Sequence, residues 1–295
     1  MKESKTERLR DELAYYKQIH LTPLSKFFPE LLEYDVEDGF WFKLKYYPYE
    51  NLGTLLLNSN GAYDWEEIIS QLTVIIAEFR SVSDSFICPL RLYNKEMYID
   101  KTYSEYCNLI RLWELSFPHL MDSLISPEYI TLNGQRYQNF HRIWDTVKTK
   151  LEKITYIPSI IHGDMCFSNI LFNEVDNTFK LVDPRGSFGL KGVFGDTNYD
   201  YAKILHSIDG LYESIIYDDF ELSSGFNLKF KTINEVKRDA LLAIVHTLFP
   251  LASLDTVKTI EGTLFIGMCA RHYDNIQRQI AMYLTGVRIL NEVLT

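Results

Sequence analysis

Between Ile160 and Gly186 the sequence alternates short apolar runs with acidic turns, a pattern that few backbone geometries can satisfy. Ile160-Ile161 ends a short apolar strand that delivers His162, Gly163 and Asp164 into a loop. Ile170-Leu171-Phe172 leaves that loop as a second apolar run. The polar stretch from Asn173 to Thr178 reverses the chain, and Phe179 to Val182 returns to place Asp183 at the same end of the hairpin. Asp164, Asn169 and Asp183 therefore converge at one mouth. Carboxylates and an amide carbonyl are the ligands that Mg²⁺ prefers. Each of these residues taken singly also fits a solvated turn, where Asp and Asn are common. That reading leaves unexplained why both apolar strands end at an acidic mouth.

An Asp-x4-Asn loop followed by a strand-borne Asp is the catalytic layout of protein kinases. The wording here, His162-Gly163-Asp164 with Asn169 and then Asp183-Pro184-Arg185-Gly186, more closely resembles the aminoglycoside phosphotransferase and choline kinase family. Gly195-Asp196-Thr197-Asn198-Tyr199-Asp200-Tyr201-Ala202-Lys203 resembles that family's Gly-Asp-x-x-Tyr-Asp-Leu-Ala-Lys segment. The stretch from Leu264 to Asn275 resembles a segment of bacterial capsule-cluster phosphotransferases in the same superfamily. The resemblance runs from Leu9 to Val293. It implies an α+β, protein-kinase-like two-lobe fold. Residues 1–57 would form a reduced N-terminal lobe and hinge, and 58–295 a large, mostly helical C-terminal lobe carrying the catalytic hairpin.

The same resemblance implies ATP and Mg²⁺ as cofactors, and a small molecule bearing a hydroxyl as acceptor: a sugar, polyol or amino alcohol. Asp164 would orient that hydroxyl and take its proton late, and Asn169 and Asp183 would hold the metal. His162 would pack under the loop and fix where Asp164 points. Arg185 would meet a phosphate or an anionic acceptor, with a salt bridge to Asp196 or Asp200 as the alternative. Glu12, on the first helix, would pair with a phosphate-binding lysine, or else stand solvated beside Arg8. The backbone of Lys45, Tyr46 and Tyr47 would meet adenine. Asp200 is read as structural, accepting backbone N–H bonds that steady the loop, and Lys203 as solvated or standing behind the site. Cys166, flanked by carboxylates that disfavour a thiolate, is read as packing.

Composition narrows the alternatives. A net charge of −10 argues against a nucleic-acid surface, whose affinity comes from Lys and Arg on phosphates. The four cysteines show no C-x-x-C spacing, so neither a zinc site nor a disulfide framework is expected and a cytoplasmic setting is simplest. The charged N-terminus lacks the apolar core of a signal peptide, and no run of 18 apolar residues spans a membrane.

Along the chain, helices are expected over 4–19 with Ser4 or Thr6 as N-cap, 64–81, 98–118, 137–153, 199–218, 231–246 and 257–268, with a last helix to Leu294. Strands are expected over 27–34 and 40–47 around an Asp38-Gly39 turn, and a turn or small hairpin at 131–135. Trp113 and Trp144 read as core and His272 as a packing group. No strand or Gly-rich loop is expected before the first helix. The chain would then be a shortened kinase, a piece of a longer product, or one whose lobe another chain completes. A non-catalytic nucleotide-binding scaffold is the rival reading.

Overall fold

Leu9, Leu13, Tyr16 and Ile19 recur at helical spacing, and a helix forms over Glu7–Ile19 with all four buried. The computed structural model describes residues 2–3, 7–36, 41–58, 63–83, 93–233, 235–245 and 252–295. In it the chain forms two compact units. Met1–Asn94, Tyr156–Ile204 and Ile244–Pro250 make the first; Lys95–Thr155, Leu205–Ala243 and Leu251–Thr295 make the second. These units interleave along the sequence. Ser4, Thr6, Cys88 and the turn at Glu37-Asp38-Gly39 lie outside the described residues.

In the first unit a three-stranded antiparallel sheet runs in the order Lys2–Glu3, Trp41–Leu44, Leu31–Asp35. The two-residue strand Lys2–Glu3 corrects the expectation that nothing precedes the helix, since its backbone pairs with Trp41 and Phe42. The strand expected from residue 27 begins only at Leu31. Thr22 caps a 3-10 helix over Pro23–Phe27, accepting the Leu24 N–H at 3.2 Å and holding Phe27 in a turn. Aromatic rings link these pieces. Tyr16 lies 5.8 Å from Phe42 and 6.2 Å from Phe28, and Phe28 stacks on Phe79 at 6.0 Å. Burial of each such ring contributes about 1.5–3 kcal/mol. Phe79 belongs to the helix Trp65–Ser83, whose first turn Asp64 caps by accepting the Glu67 N–H at 3.0 Å.

The hairpin predicted from the sequence is present in this unit. Ile170–Asn173 pairs antiparallel with Thr178–Leu181, with Ile170 opposite Leu181 and Asn173 opposite Thr178. Glu50–Asn51 adds a third strand to Ile170–Asn173. A separate ribbon pairs Pro158–Ile160 with Phe194–Asp196, which brings the segment after the second acidic motif back to the strand before the first.

In the second unit, helices lie over Lys101–Ser116, Phe140–Glu152, Leu254–Met268 and Ile276–Glu292. Leu254–Met268 and Ile276–Glu292 approach closely at two glycines. A Cβ on Gly262 would sit 2.7 Å from Leu290, and one on Gly286 would sit 3.1 Å from the Gly262 carbonyl. Trp113 and Trp144 are buried, as expected. Asn139 shortens the predicted 137–153 helix: its Oδ1 caps Phe140 while its Nδ2 bonds the carbonyls of Leu124, Ile125 and Pro127. The expected helix over 199–218 breaks after Ile208, because Leu211 adopts a left-handed φ of 53° before a short helix over Tyr212–Ile216. A hairpin of Phe220–Ser223 and Asn227–Phe230 precedes the helix Glu235–Val245, where the periodicity had suggested helix from 231. Among the described residues no helix is long and apolar enough to cross a membrane.

Candidate active site

The loop that carries Asp164 is held on one side by two buried acids, Asp196 just before the helix Thr197–Ile208 and Asp200 on its first turn. Asp196 accepts the Ile157 N–H at 2.9 Å and the Asn198 N–H at 3.1 Å, tying the start of the helix Thr197–Ile208 to the strand before the loop. Asp200, on the first turn of that helix, accepts the His162 N–H at 2.7 Å and the Gly163 N–H at 2.8 Å. The structure thus places Asp200 where the sequence suggested. From the other side the Arg185 N–H donates to the His162 carbonyl at 2.9 Å. Gly163 has φ +77°, and a Cβ there would meet the Arg185 Cβ at 2.8 Å, so only glycine fits.

His162 lies beneath this loop. Its ring is buried, stacks on Phe28 at 6.2 Å and 12°, and its Nδ1 accepts the Asp164 N–H at 3.2 Å. Burial lowers its pKa to about 4, although the carboxylates of Asp164 and Asp183 pull the other way. At neutral pH the imidazole is therefore uncharged, with its proton on Nε2, and it positions Asp164 through the backbone. The aromatic series from Phe42 through Tyr16 and Phe28 to His162 connects the three-stranded sheet to the loop.

The Asp164 carboxylate meets the Lys203 ammonium at 2.9 Å and the exposed Arg8 guanidinium at 3.8 Å. Burial would raise its pKa, but Lys203 above all, with His162 and Arg8, holds it well below the usual carboxylate range. Lys203 is buried, which corrects the solvated reading. A signal for it exists in the sequence: residue 203 lies three positions beyond Asp200 on one helix, and i,i+3 positions share a face. Arg8 and Tyr199 had no comparable signal.

Asn169 and Asp183 are brought to the same end of the hairpin. Asn169 Nδ2 donates to the Asp164 carbonyl at 2.9 Å, so its Oδ1 is the atom left for a cation. The Val182 N–H donates to the Asn169 carbonyl at 3.0 Å, which puts Asp183 one residue past that cross-strand pair. Asp183 takes a left-handed φ of 59°, a conformation Asp tolerates better than most residues. One carboxylate and one amide oxygen make the sparse oxygen set that Mg²⁺ uses together with nucleotide phosphates. Among the described residues no group of three His, Cys, Asp or Glu forms a cage.

The other predicted residues fall as follows. Arg185 Nη1 donates to the Tyr199 hydroxyl at 3.2 Å, and the expected alternative of a salt bridge to Asp196 or Asp200 is not what this side chain makes. Glu12 is buried, which corrects its solvated alternative. The Lys45 N–H is already bonded to the Glu30 carbonyl at 2.8 Å, Tyr46 is 83% exposed, and Tyr47 lies beneath the ammonium of Lys180 at 5.0 Å. Cys166 is buried, with Sγ 3.2 Å from the Ser168 hydroxyl.

Gly186 joins the first helix to the second acidic motif. Its φ is +68°, and a Cβ would lie 2.2 Å from the Asp11 carbonyl oxygen. Gly186→Ala therefore combines left-handed strain with a backbone collision and lowers unfolding free energy by about 2–4 kcal/mol. Gly134, with φ +78° and open space around it, isolates the strain alone: Gly134→Ala loses only about 1 kcal/mol. Urea denaturation of the two variants makes the comparison, and equal losses would remove the collision from the account.

No family model matches the sequence, and no curated protein matches it. Among solved structures, a choline kinase from Cryptosporidium parvum Iowa II is similar, with 12% identity and a TM-score of 0.47 over 99% of this chain and 79% of that one.

Proposed function

We propose that the chain is an ATP-dependent small-molecule kinase that transfers a phosphoryl group to a hydroxyl of a sugar, polyol or amino alcohol. The carrying observation is the loop itself. Two backbone bonds to Asp200, one to the His162 ring and one from Asn169 fix Asp164 beside the hairpin end that bears Asn169 and Asp183. A solvated turn requires none of that apparatus. The two lobes would divide near residues 57 and 58, with adenine against the backbone of Tyr46 and Tyr47 and Glu12 behind the phosphates.

Asp164, ionised beside Lys203, accepts a hydrogen bond from the acceptor hydroxyl and takes its proton as the new bond forms; a carboxylate is too weak a base to ionise an alcohol first. Mg²⁺ held by Asn169 and Asp183 would supply charge neutralisation at the nucleotide phosphates. Positioning and electrostatics account for most of the acceleration, because the transition state of phosphoryl transfer is loose. The sequence resemblance to capsule-cluster phosphotransferases favours a sugar or polyol used in surface-polysaccharide assembly.

The test is thermal stabilisation by ATP with and without Mg²⁺, followed by a nucleotide-consumption screen over sugars, amino alcohols and aminoglycosides. Stabilisation that needs the metal supports the kinase; no shift under either condition favours a scaffold or a chain that needs a partner. Asp183→Ala weakens Mg·ATP affinity by about tenfold or more, since it removes a charged ligand of the cation. Calorimetric titration checks this, and an unchanged affinity would take Asp183 out of the metal site.

A further inference from the structure

We propose that Lys203 is a positioning residue for the base: its ammonium reserves one oxygen of the Asp164 carboxylate, Oδ1, and so makes the other, Oδ2, the atom that receives the acceptor's proton. The inference rests on the kinase reading and adds to it which oxygen reacts and what aims it. Lys203 Nζ lies 2.9 Å from Oδ1, and the two side chains are 7% and 24% exposed. Oδ2 is met by Arg8 at 3.8 Å, beyond hydrogen-bond range, from a side chain that is 68% exposed. Oδ1 therefore faces the protein and Oδ2 the open side, where an acceptor arrives.

The backbone of Asp164 is held separately. Its N–H donates to the His162 ring at 3.2 Å, and its carbonyl accepts Asn169 Nδ2 at 2.9 Å. Those bonds place the residue but leave the rotation of its carboxylate open, and Lys203 closes it. The lysine takes its own position from the helix Thr197–Ile208. Asp200, on the first turn, accepts the N–H groups of His162 and Gly163, and Lys203 stands three residues further along the same face. One helix thus sets the direction of the loop and the rotation of the carboxylate on it. A charge-assisted hydrogen bond is short and directional. A buried ammonium also cannot swing away without leaving an uncompensated charge behind.

In the transfer, the acceptor oxygen bonds to the terminal phosphorus of ATP as the bond from that phosphorus to ADP breaks. The acceptor O–H bond breaks with it, and the proton goes to Oδ2. Lys203 keeps its own protons throughout and acts only through Asp164.

Steady-state kinetics test this on wild type, Lys203→Met, Lys203→Gln, Lys203→Arg, Asp164→Asn and the variant carrying both Lys203→Met and Asp164→Asn. Turnover is read as ADP released from Mg·ATP with glycerol, glucose, ethanolamine or kanamycin as the hydroxyl probe, and is normalised to the folded fraction. Lys203→Met lowers kcat by about 10–100-fold while the KM for Mg·ATP stays within about threefold, because the base is misaimed and the nucleotide's ligands are untouched. Lys203→Arg, which returns a cation to Oδ1, recovers part of that loss. In the double variant the lysine's effect disappears: it is as slow as Asp164→Asn alone, within about threefold. A merely structural lysine would instead lower the melting temperature and leave kcat per folded molecule alone. A kcat for Lys203→Met within about threefold of wild type, or losses that multiply in the double variant, overturns the proposal and leaves the kinase reading standing. Should the methionine variant fail to fold, Lys203→Gln in the same two backgrounds decides by the same criteria. Wild type that releases no ADP with any of the four probes ends the inference together with the reading it rests on.

Discussion

If the chain is the kinase proposed above, Asp164→Asn is expected to lower phosphoryl transfer by about 10²–10⁴-fold while Mg·ATP affinity stays within a few-fold of wild type, the range lost when a positioned general base is removed. The amide keeps the size of the carboxyl and leaves the backbone bonds untouched: Asp164 N–H to the His162 ring and Asp164 carbonyl to Asn169. What it removes is the negative charge beside Lys203 and the oxygen able to take a proton. The nucleotide's metal ligands are other residues in this scheme, so binding and turnover separate. Lys203 is left buried against a neutral amide, which destabilises the fold, and thermal midpoints must be measured alongside so that unfolding is not counted as lost chemistry. Turnover within a few-fold of wild type would exclude Asp164 as the base.

The hairpin and its loop were legible because their signal is local. Apolar runs bounded by Asp and Asn set strands and turns directly, and the pairing of Ile170–Asn173 with Thr178–Leu181 follows from a short connection. Asp200 was legible for a related reason, as an acid on the first turn of a helix that follows the loop. The elements that were misplaced depend on contacts far away in sequence. Asn139 ends the strand before it and starts a helix through bonds to Leu124, Ile125 and Pro127, and nothing at residues 137–139 alone announces that. Leu211 itself takes the left-handed φ, whereas the glycine beside it, Gly210, serves close packing, a Cβ there lying 2.0 Å from Phe265. The sequence left Lys203 either solvated or behind the site, and the structure gives the second, because its burial is set by the partner, Asp164, that it meets in the fold. Charge alone suggested solvent; an ion pair formed out of water does not show in composition.

Asp200→Ala removes both acceptors from beneath the loop and leaves the buried N–H groups of His162 and Gly163 without partners, lowering unfolding free energy by about 2–5 kcal/mol. Transfer falls as well, because those two bonds set the direction in which Asp164 emerges. Asp200→Asn retains one acceptor oxygen and about half of the stability, and it exposes a signed pH effect. Burial, aided by Asp164 and Asp196, pushes the Asp200 pKa up to about 7 despite the two N–H donors, so its contribution to stability is present below about pH 4 and declines as pH rises through 7. His162 has the opposite sign: with its pKa lowered to about 4, it favours the fold at neutral pH and withdraws that support as pH falls from about 6.5 to 4. In wild type the two slopes oppose one another across the same interval. Asp200→Asn cancels one of them, so its stability drops more steeply on acidification between pH 6.5 and 4 than that of wild type. Urea titrations at half-unit pH steps measure this, and parallel curves for the two proteins would mean that Asp200 does not titrate as its surroundings dictate.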